Sequence, residues 1–592
     1  MNEITVPIDS VLVSLMVKQD QQIIAGQTLA IVEAMKMHYP INADHHGVIS
    51  EIYVNEGDLL TAGDAIFKVI AKQINQLAKE KQHVGKAKNS ELDLFQQRIA
   101  KTYDEARTTA RDKRHKHGYR TARENLNDLI DEGSFNEYGQ LAVAAQRSRK
   151  TPEELQTQTA ADGIITGTAT INSELVGSDA SHAAVVINDY SVLAGTQGYF
   201  HHHKLDRILG IAKQQSLPVV MYTEGGGGRP GDTDVLVSMA GLNVPSFKTW
   251  AGLSGQVPRI AVNNGYCFAG NAALFGCADI TIATKTSNIG MAGPAMIEGG
   301  GLGKFSANEI GPAVRQSKNG VIDILAEDES QATNLAQQAI SYFQGPTLNW
   351  SVAPQDKLQE LIPNERQQAY LIRDVLKLVA DTSSLLELQA DYGQSIVTAF
   401  ARIEGKPLGF IANNCHFNGG AVDAIAAEKA AKFIRLCDSF SIPLVSFTDT
   451  PGFMVGPESE DQAAVRKMSD LFVSAATISV PIVTIILRRS YGLGAMAMAG
   501  GSMFASIYTV SWPSGEFGAM GLEGAVRLGY KKELENTKQG PERDALFQQL
   551  LDKMIEQGRA MEAASYLEID AVIDPSDTRT IILRALKTTP PS

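Results

Sequence analysis

Cysteine is scarce: Cys267, Cys277, Cys415 and Cys437 are the only four in 592 residues, and no two form a C-x-x-C pair. That excludes a zinc ribbon and a disulfide framework. The N-terminus, Met1 to Asp9, lacks a basic stretch followed by an apolar core, so no secretory signal is expected. Long apolar runs are also missing. The longest, residues 473–487, contains Pro481 and ends in Arg488-Arg489, which suits a buried strand after a helix and not a membrane span. Basic residues are outnumbered, 53 Lys+Arg against 66 Asp+Glu for a net charge of -13, which argues against general nucleic-acid binding. No G-x-x-x-x-G-K-[ST] loop occurs, so no P-loop nucleotide site is expected. What remains is a soluble, cytoplasmic chain, and its 44% apolar residues are enough for large cores. At roughly 150 residues per domain the length corresponds to about four domains.

Glycine, by contrast, is plentiful at 52 residues, where ordinary usage gives about 40. Many of these glycines punctuate two internal repeats. Residues 11–32 echo residues 48–69 at a constant offset of 37: Val11, Leu12, Leu15, Val17, Ile23, Gly26, Leu29 and Val32 match Val48, Ile49, Ile52, Val54, Leu60, Gly63, Ile66 and Val69. Short β-rich runs broken by Gly and Asp predict two similar strand sets in one small sandwich or barrel. Glu33-Ala34-Met35-Lys36-Met37 falls at the hairpin joining them.

From about Lys72 the composition turns to Lys, Arg, Gln and Ala at helical spacing, including Arg111-Asp112-Lys113-Arg114. We read residues 72–110 as a charged helical linker whose basic residues form a solvated helix face, not a nucleic-acid arm. The second repeat is larger. Leu217-Pro218-Val219-Val220 through Glu224 resembles Ile442-Pro443-Leu444-Val445 through Asp449, and Val257-Pro258-Arg259-Ile260 resembles Val480-Pro481-Ile482-Val483. Strand, Gly-rich turn and helix alternate in both copies, which predicts α/β folding. The expected order is a β domain over 1–71, the linker, a first half over 111–355 and a second half over 356–592.

Lys36, flanked by Met35 and Met37 at a hairpin tip, resembles the biotin attachment site of biotinyl carrier domains, and residues 3–70 resemble that family's flattened β-barrel. A lipoyl domain shares the fold, but its lysine usually lacks the two methionines. The amine must stand exposed on a rigid turn for a ligase to acylate it, and a tethered biotin then visits separate sites at high effective concentration. Asn264-Gly265-Tyr266-Cys267-Phe268-Ala269-Gly270 and Tyr491-Gly492-Leu493-Gly494 each end a strand and open a small-residue helix. Backbone amides at such turns converge on one point and suit a developing oxyanion.

With these motifs in place, residues 91–592 resemble the carboxyltransferase subunit of biotin-dependent acyl-CoA carboxylases, which has two crotonase-like halves. The resemblance rests on Thr121-Ala122-Arg123-Glu124-Asn125-Leu126, Phe433-Ile434-Arg435-Leu436-Cys437-Asp438 and Thr448-Asp449-Thr450-Pro451-Gly452-Phe453. It implies that the amides of Ala269 and Gly270 stabilise the enolate oxygen of an acyl-CoA. It also implies that Leu493 and Gly494 polarise the ureido oxygen of biotin carried on Lys36. Ala269 and Leu493 depart from the usual glycines. Lys204 is expected at a CoA phosphate, Tyr266 and Tyr491 beside the pocket, and Met496 either in an acyl pocket or in plain helix packing.

His201-His202-His203 reads as a CoA-proximal or surface run and not a metal site, because adjacent histidines rarely converge on one ion. Glu224 and Asp449 read as helix-cap or turn carboxylates. With no room for an ATP-using biotin carboxylase, the implied partners are a separate biotin carboxylase subunit, a biotin protein ligase and further copies of this chain, in a dimer-based assembly such as a dimer or a hexamer. A decarboxylase or transcarboxylase running the same half-reaction in reverse uses the same residues. A crotonase-type hydratase, or a non-enzymatic biotin-tagged scaffold, leaves part of the chain without a role.

Overall fold

In a computed structural model the chain is described over residues 2–72, 90–235 and 242–587. Residues 73–89 of the expected linker lie outside the described residues; its remainder holds helix Ser90–Ala100 and the start of helix Thr108–Lys116. The described residues fall into two compact units divided at Ser90/Glu91.

The first unit is a β-sandwich built from the 37-residue repeat. One sheet runs Asn2–Thr5, Ala65–Ala71, Gly47–Ile52, Gln22–Ile23; the other runs Met37–Asn42, Thr28–Ala34, Ser10–Leu15, Leu59–Leu60. Each repeat lends its shortest strand to the sheet of the other. Repeat-matched apolar pairs fill the core between the sheets: Leu12 with Ile49, Ile23 with Leu60, Leu29 with Ile66, and Val32 with Val69. Burying each such side chain contributes about 2 kcal/mol.

In the second unit the two halves carry sheets of matching order. The first runs Ile324–Ala326, Ile280–Thr284, Arg259–Asn263, Val219–Tyr222, His182–Asn188, Ile164–Thr170, Asn136–Tyr138. The second runs Ala571–Val572, Tyr508–Ser511, Ile482–Tyr491, Leu444–Thr450, Lys406–Asn413, Ile396–Ile403, Leu386–Leu388. Central strands pair in parallel and are buried on both faces, as Leu444–Thr450 is throughout, which is the setting of near-continuous apolar runs in parallel sheets.

The prolines that mark the repeat start strands, where a missing N–H costs no ladder bond. Their carbonyls still accept: Pro218 from Ala184 (2.9 Å), Pro258 from Val219 (2.8 Å), Pro443 from Gly409 (2.9 Å) and Pro481 from Leu444 (2.9 Å). One apolar cluster runs through both halves, from Ile187, Ile260 and Ile340 to Phe400, Ala427 and Ile434. Asp323 of the first half also receives Lys432 of the second at 3.0 Å.

Candidate active site

In the carrier, Ala34 pairs with Met37, leaving Met35 and Lys36 as a two-residue hairpin turn. Both have positive φ, 50° and 66°, as a type I′ turn requires. That turn normally selects Asn and Gly, and each non-glycine residue held this way costs on the order of 1–3 kcal/mol. The strain presents the amine: Lys36 is exposed, and Met35 (92%) and Met37 (63%) stand out beside it. An exposed primary amine on a rigid two-residue tip fits covalent biotin attachment.

In the first half, Tyr266–Phe268 pairs in parallel with Asn288–Gly290 and leads into helix Gly270–Gly276. Between them Ala269 adopts φ 50°, ψ -119°. A loop of four glycines, Gly225 to Gly228, lies alongside: Gly225 donates to the Tyr266 carbonyl (2.7 Å) and accepts from the Phe268 N–H (2.9 Å). A Cβ on Gly227 would sit 2.8 Å from that of Ala269, so only glycine lets the loop approach. The Ala269 N–H, expected as an oxyanion donor, is already spent on the Gly290 carbonyl at 3.1 Å. Gly270, the first helical residue, keeps an amide with no intrahelical partner. Tyr266 stacks on Phe268 and donates its hydroxyl to Asn308 Oδ1 at 2.8 Å.

The second half aligns with the first through strand register. Val219 pairs with Arg259, and its repeat-mate Leu444 pairs with Ile482. Arg259 therefore corresponds to Ile482, and Ala269 to Gly492, whose φ is 56°. The residues standing where Ala269 and Gly270 stand are Gly492 and Leu493, one position earlier than the expected pair of Leu493 and Gly494. Gly494 has a different reason to be glycine, since a Cβ there would lie 2.8 Å from Gly452 Cα. Tyr491 does not line the pocket as expected: it is 2% exposed, packs with Leu522, Val526 and Leu551, and accepts a hydrogen bond from Arg366 at 3.1 Å. Met496 does line a cavity of about 470 Å³, together with Gly492, Met503, Phe517, Met520 and Met554.

Four further expectations change with the geometry. Glu224 and Asp449 are neither caps nor turn carboxylates; each is buried in an ion pair. Glu224 meets Arg114 through two bonds of 2.9 and 2.8 Å. Burial pushes the Glu224 carboxyl up, and the guanidinium opposes that shift. Asp449 meets Arg488 (3.0 Å) and Arg489 (2.7 Å). The basic lead-in is consequently not all solvated: Arg107 and Arg114 turn inward, Arg107 onto Asp189 at 2.7 Å, while Lys113 and Lys116 face out.

Lys204 is buried, and its ammonium donates to the carbonyls of Ala161 (2.9 Å) and Ile164, so it is not offered to a CoA phosphate. Its repeat-mate Lys429 does the same for Gln389 (2.9 Å), Tyr392 (3.0 Å) and Ile396 (2.8 Å). Burial pushes both lysines down to about 8. His201, far from forming a surface run, is fully buried against Asn188 Oδ1 at 2.9 Å, and His202 meets Ser246 Oγ at 3.0 Å. Burial holds both imidazoles below their usual range.

Sequence reasoning missed Arg114, Arg366 and three of the cavity methionines. A usable signal was present for the arginines. Arg123 with Glu137 and Arg373 with Glu387 form matching ion pairs 250 residues apart, so each half has its own lead-in segment, and both arginines lie within those segments.

Residues 113–590 match the carboxyl transferase domain family, and residues 2–69 match the family of biotin-requiring enzymes. The chain is 32% identical over 493 residues to the methylmalonyl-CoA carboxyltransferase 12S subunit of Propionibacterium freudenreichii subsp. shermanii, covering 80% of this chain and 90% of that one. Among solved structures it resembles a single-chain, multi-domain long-chain acyl-CoA carboxylase (46% identity, TM-score 0.81). That match covers 99% of this chain but spans only 56% of the larger protein. A transcarboxylase 12S hexamer solved with methylmalonyl-CoA and methylmalonic acid matches over 88% of this chain and 98% of its own (29% identity, TM-score 0.72).

Proposed function

The chain belongs to the carboxyl transferase family, and from that premise we propose how its parts divide the work. It is an enzyme that moves a carboxyl group between biotin, held covalently on a lysine, and an acyl-CoA. The lysine is Lys36, on the strained and exposed hairpin tip. Bound there, biotin supplies the carrier for the carboxyl group. The observation that carries the assignment of the reaction centre is the duplicated turn: Ala269-Gly270 and Gly492-Leu493 occupy matching register, each with a left-handed first residue opening a helix.

At the first turn the Gly270 N–H is aimed where negative charge develops on the acyl thioester oxygen once the α-proton leaves. One such donor is typically worth about 10²–10³ in rate. The second turn orients the carboxyl donor. Positioning and fixed amides, without an acid or base side chain, are the contribution of the chain itself.

The methionine-lined cavity beside Gly492 suits a flexible hydrocarbon, since Met side chains adapt to varied apolar shapes. The likeness to a long-chain acyl-CoA carboxylase supports the same class of acyl group. A separate biotin carboxylase, a biotin protein ligase and a dimer-based, hexameric assembly complete the system, as they do for a 12S hexamer-forming relative in the last respect. Its place is the cytoplasm, where ATP-dependent carboxylation and ligation of biotin occur. Among the described residues no helix is long and apolar enough to cross a membrane.

One experiment with two arms tests the proposal. Avidin blotting should detect the native chain and fail with Lys36→Ala; a retained signal moves the site elsewhere. A panel of acyl-CoAs of rising chain length, offered with carboxybiotin and no ATP, should show transfer; silence across the panel ends the carboxyl-transfer reading.

A further inference from the structure

The elements around the second turn converge on one guanidinium. Arg366, in the segment leading into helix Ile372–Val379, grips Glu516 through Nε (2.6 Å) and Nη2 (2.7 Å). Its Nη1 donates to Glu523 Oε1 at 2.7 Å, and Nη2 also reaches the Tyr491 hydroxyl at 3.1 Å. The three partners lie on three elements. Tyr491 closes strand Ile482–Tyr491 and directly precedes Gly492. Glu516 opens strand Glu516–Gly518, which pairs alongside Arg489–Tyr491. Glu523 sits in the first turn of helix Leu522–Gly529, whose Leu522 lines the methionine cavity. Gly492 in turn abuts the Ala519 carbonyl, 3.0 Å from where a Cβ would stand.

This contact set needs arginine. Its planar fork reaches two carboxylates and a hydroxyl at once, which a lysine point charge cannot reproduce. Burial pushes the Glu523 carboxyl up, but the hydrogen bond from Arg366, a backbone N–H and the charges of Arg366 and Arg527 together outweigh it and hold the group below its usual value. Apolar packing fixes the Tyr491 ring and Arg366 fixes its hydroxyl, so the backbone at Gly492 inherits both restraints. At the first-half turn the corresponding residue is Phe268, which has no hydroxyl to hold.

We propose that Arg366 is a positioning residue for carboxyl transfer, setting the Gly492–Leu493 amides and the adjoining cavity wall without touching the reacting groups. The inference rests on the carboxyl-transfer reading only for the reaction it serves. The full biotinylated chain is assayed for transfer from carboxylated acyl-CoAs to free biotin, and deuterium exchange of residues 491–495 is followed in the same preparations. In Arg366→Met, kcat should fall about tenfold or more while KM for the acyl-CoA stays within about twofold. Amides 491–495 should exchange faster, and amides 270–273 should keep their rate.

Arg366 borders an open cleft of about 590 Å³, so guanidinium ion at low millimolar concentration should restore part of kcat, which it would not do for a misfolded variant. Tyr491→Phe deletes only the longest of the four bonds Arg366 makes and should show the same pattern at about threefold size. Wild-type exchange at 491–495 in both variants overturns the positioning role, whether or not the chain transfers carboxyl groups. A wild-type chain silent with every carboxylated acyl-CoA, but with 491–495 loosened in the variants, upholds the clamp and removes the transfer reading instead.

Discussion

The two halves of the transferase unit share a sheet order, yet they neutralise the same buried carboxylate by different routes. At the end of the Val219 strand Glu224 is met by Arg114, contributed by the lead-in helix Thr108–Lys116. At the matching position Asp449 is met by Arg488 and Arg489 from the adjacent strand. The second half is thus self-sufficient, and its lead-in arginine, Arg366, is free to serve the turn. The first half depends on a single guanidinium from a distant segment, which also lies over Tyr119 (4.8 Å) and Tyr190 (5.7 Å). Against that divergence, Lys204 and Lys429 keep one duty: each secures the carbonyl that opens an earlier strand of its half, Ile164 or Ile396. What the fold requires stayed duplicated; what surrounds the reaction diverged.

The largest effect expected comes from breaking that asymmetry. Arg114→Met leaves Glu224 buried and unpaired, a loss of about 3–5 kcal/mol. Arg489→Met leaves Asp449 its bond to Arg488 and should cost about half as much or less. Urea midpoints of the two variants measure the difference directly. Equal losses would mean that the lead-in helix is no more essential to its half than the second strand arginine is to the other.

Next in size is the pair of buried lysines, which sharpens the comparison from the opposite side by predicting equality. Each folded-state pKa is lowered from 10.5 to about 8, so between those values the unfolded chain binds the extra proton. Stability therefore rises as pH climbs from about 8 to 10.5, by up to about 3 kcal/mol per lysine, and the cost of the buried charge is fully present below 8. Lys204→Met and Lys429→Met should each remove one such share of the slope in unfolding titrations, and neither should raise KM for the acyl-CoA. A KM rise confined to Lys204→Met would restore a CoA-binding role for that residue.

How much of this was legible in sequence follows from what each signal depends on. The carrier repeat, the α/β alternation and the proline-led strands are local patterns, and Leu12, Ile23, Leu29 and Val32 fill the core as their spacing implies. The exposed Lys36 tip was legible for the same reason. The two expected amide pairs stand one residue out of register with each other because glycine identity alone cannot separate a left-handed position, Gly492, from a packing position, Gly494; strand register does. Lys204 was misread because a lysine at a helix start looks solvent-facing until the strand carbonyls that surround it are placed. Arg114 and Arg366 act across 110 and 150 residues of chain, distances at which composition and spacing carry no information about partners.

The smallest effect concerns the one residue that distinguishes the two turns at their left-handed position. Ala269 holds φ 50°, ψ -119°, a conformation that glycine adopts freely and alanine does not. Ala269→Gly relieves that strain but gives the unfolded chain more freedom, worth about 0.4–1 kcal/mol, so the net change should stay within about 1 kcal/mol. Gly492→Ala runs the exchange backward with less room, because its new Cβ meets the Ala519 carbonyl at 3.0 Å; it should lose about 1–2 kcal/mol. The Gly290 carbonyl that takes the Ala269 N–H is unaffected by the first change, so Ala269→Gly should transfer carboxyl groups at close to the wild-type rate. If it is instead slowed tenfold with an unchanged unfolding midpoint, the alanine Cβ against Gly227 is setting the direction of the Gly270 amide, and the two turns differ in geometry as well as in their supporting charges.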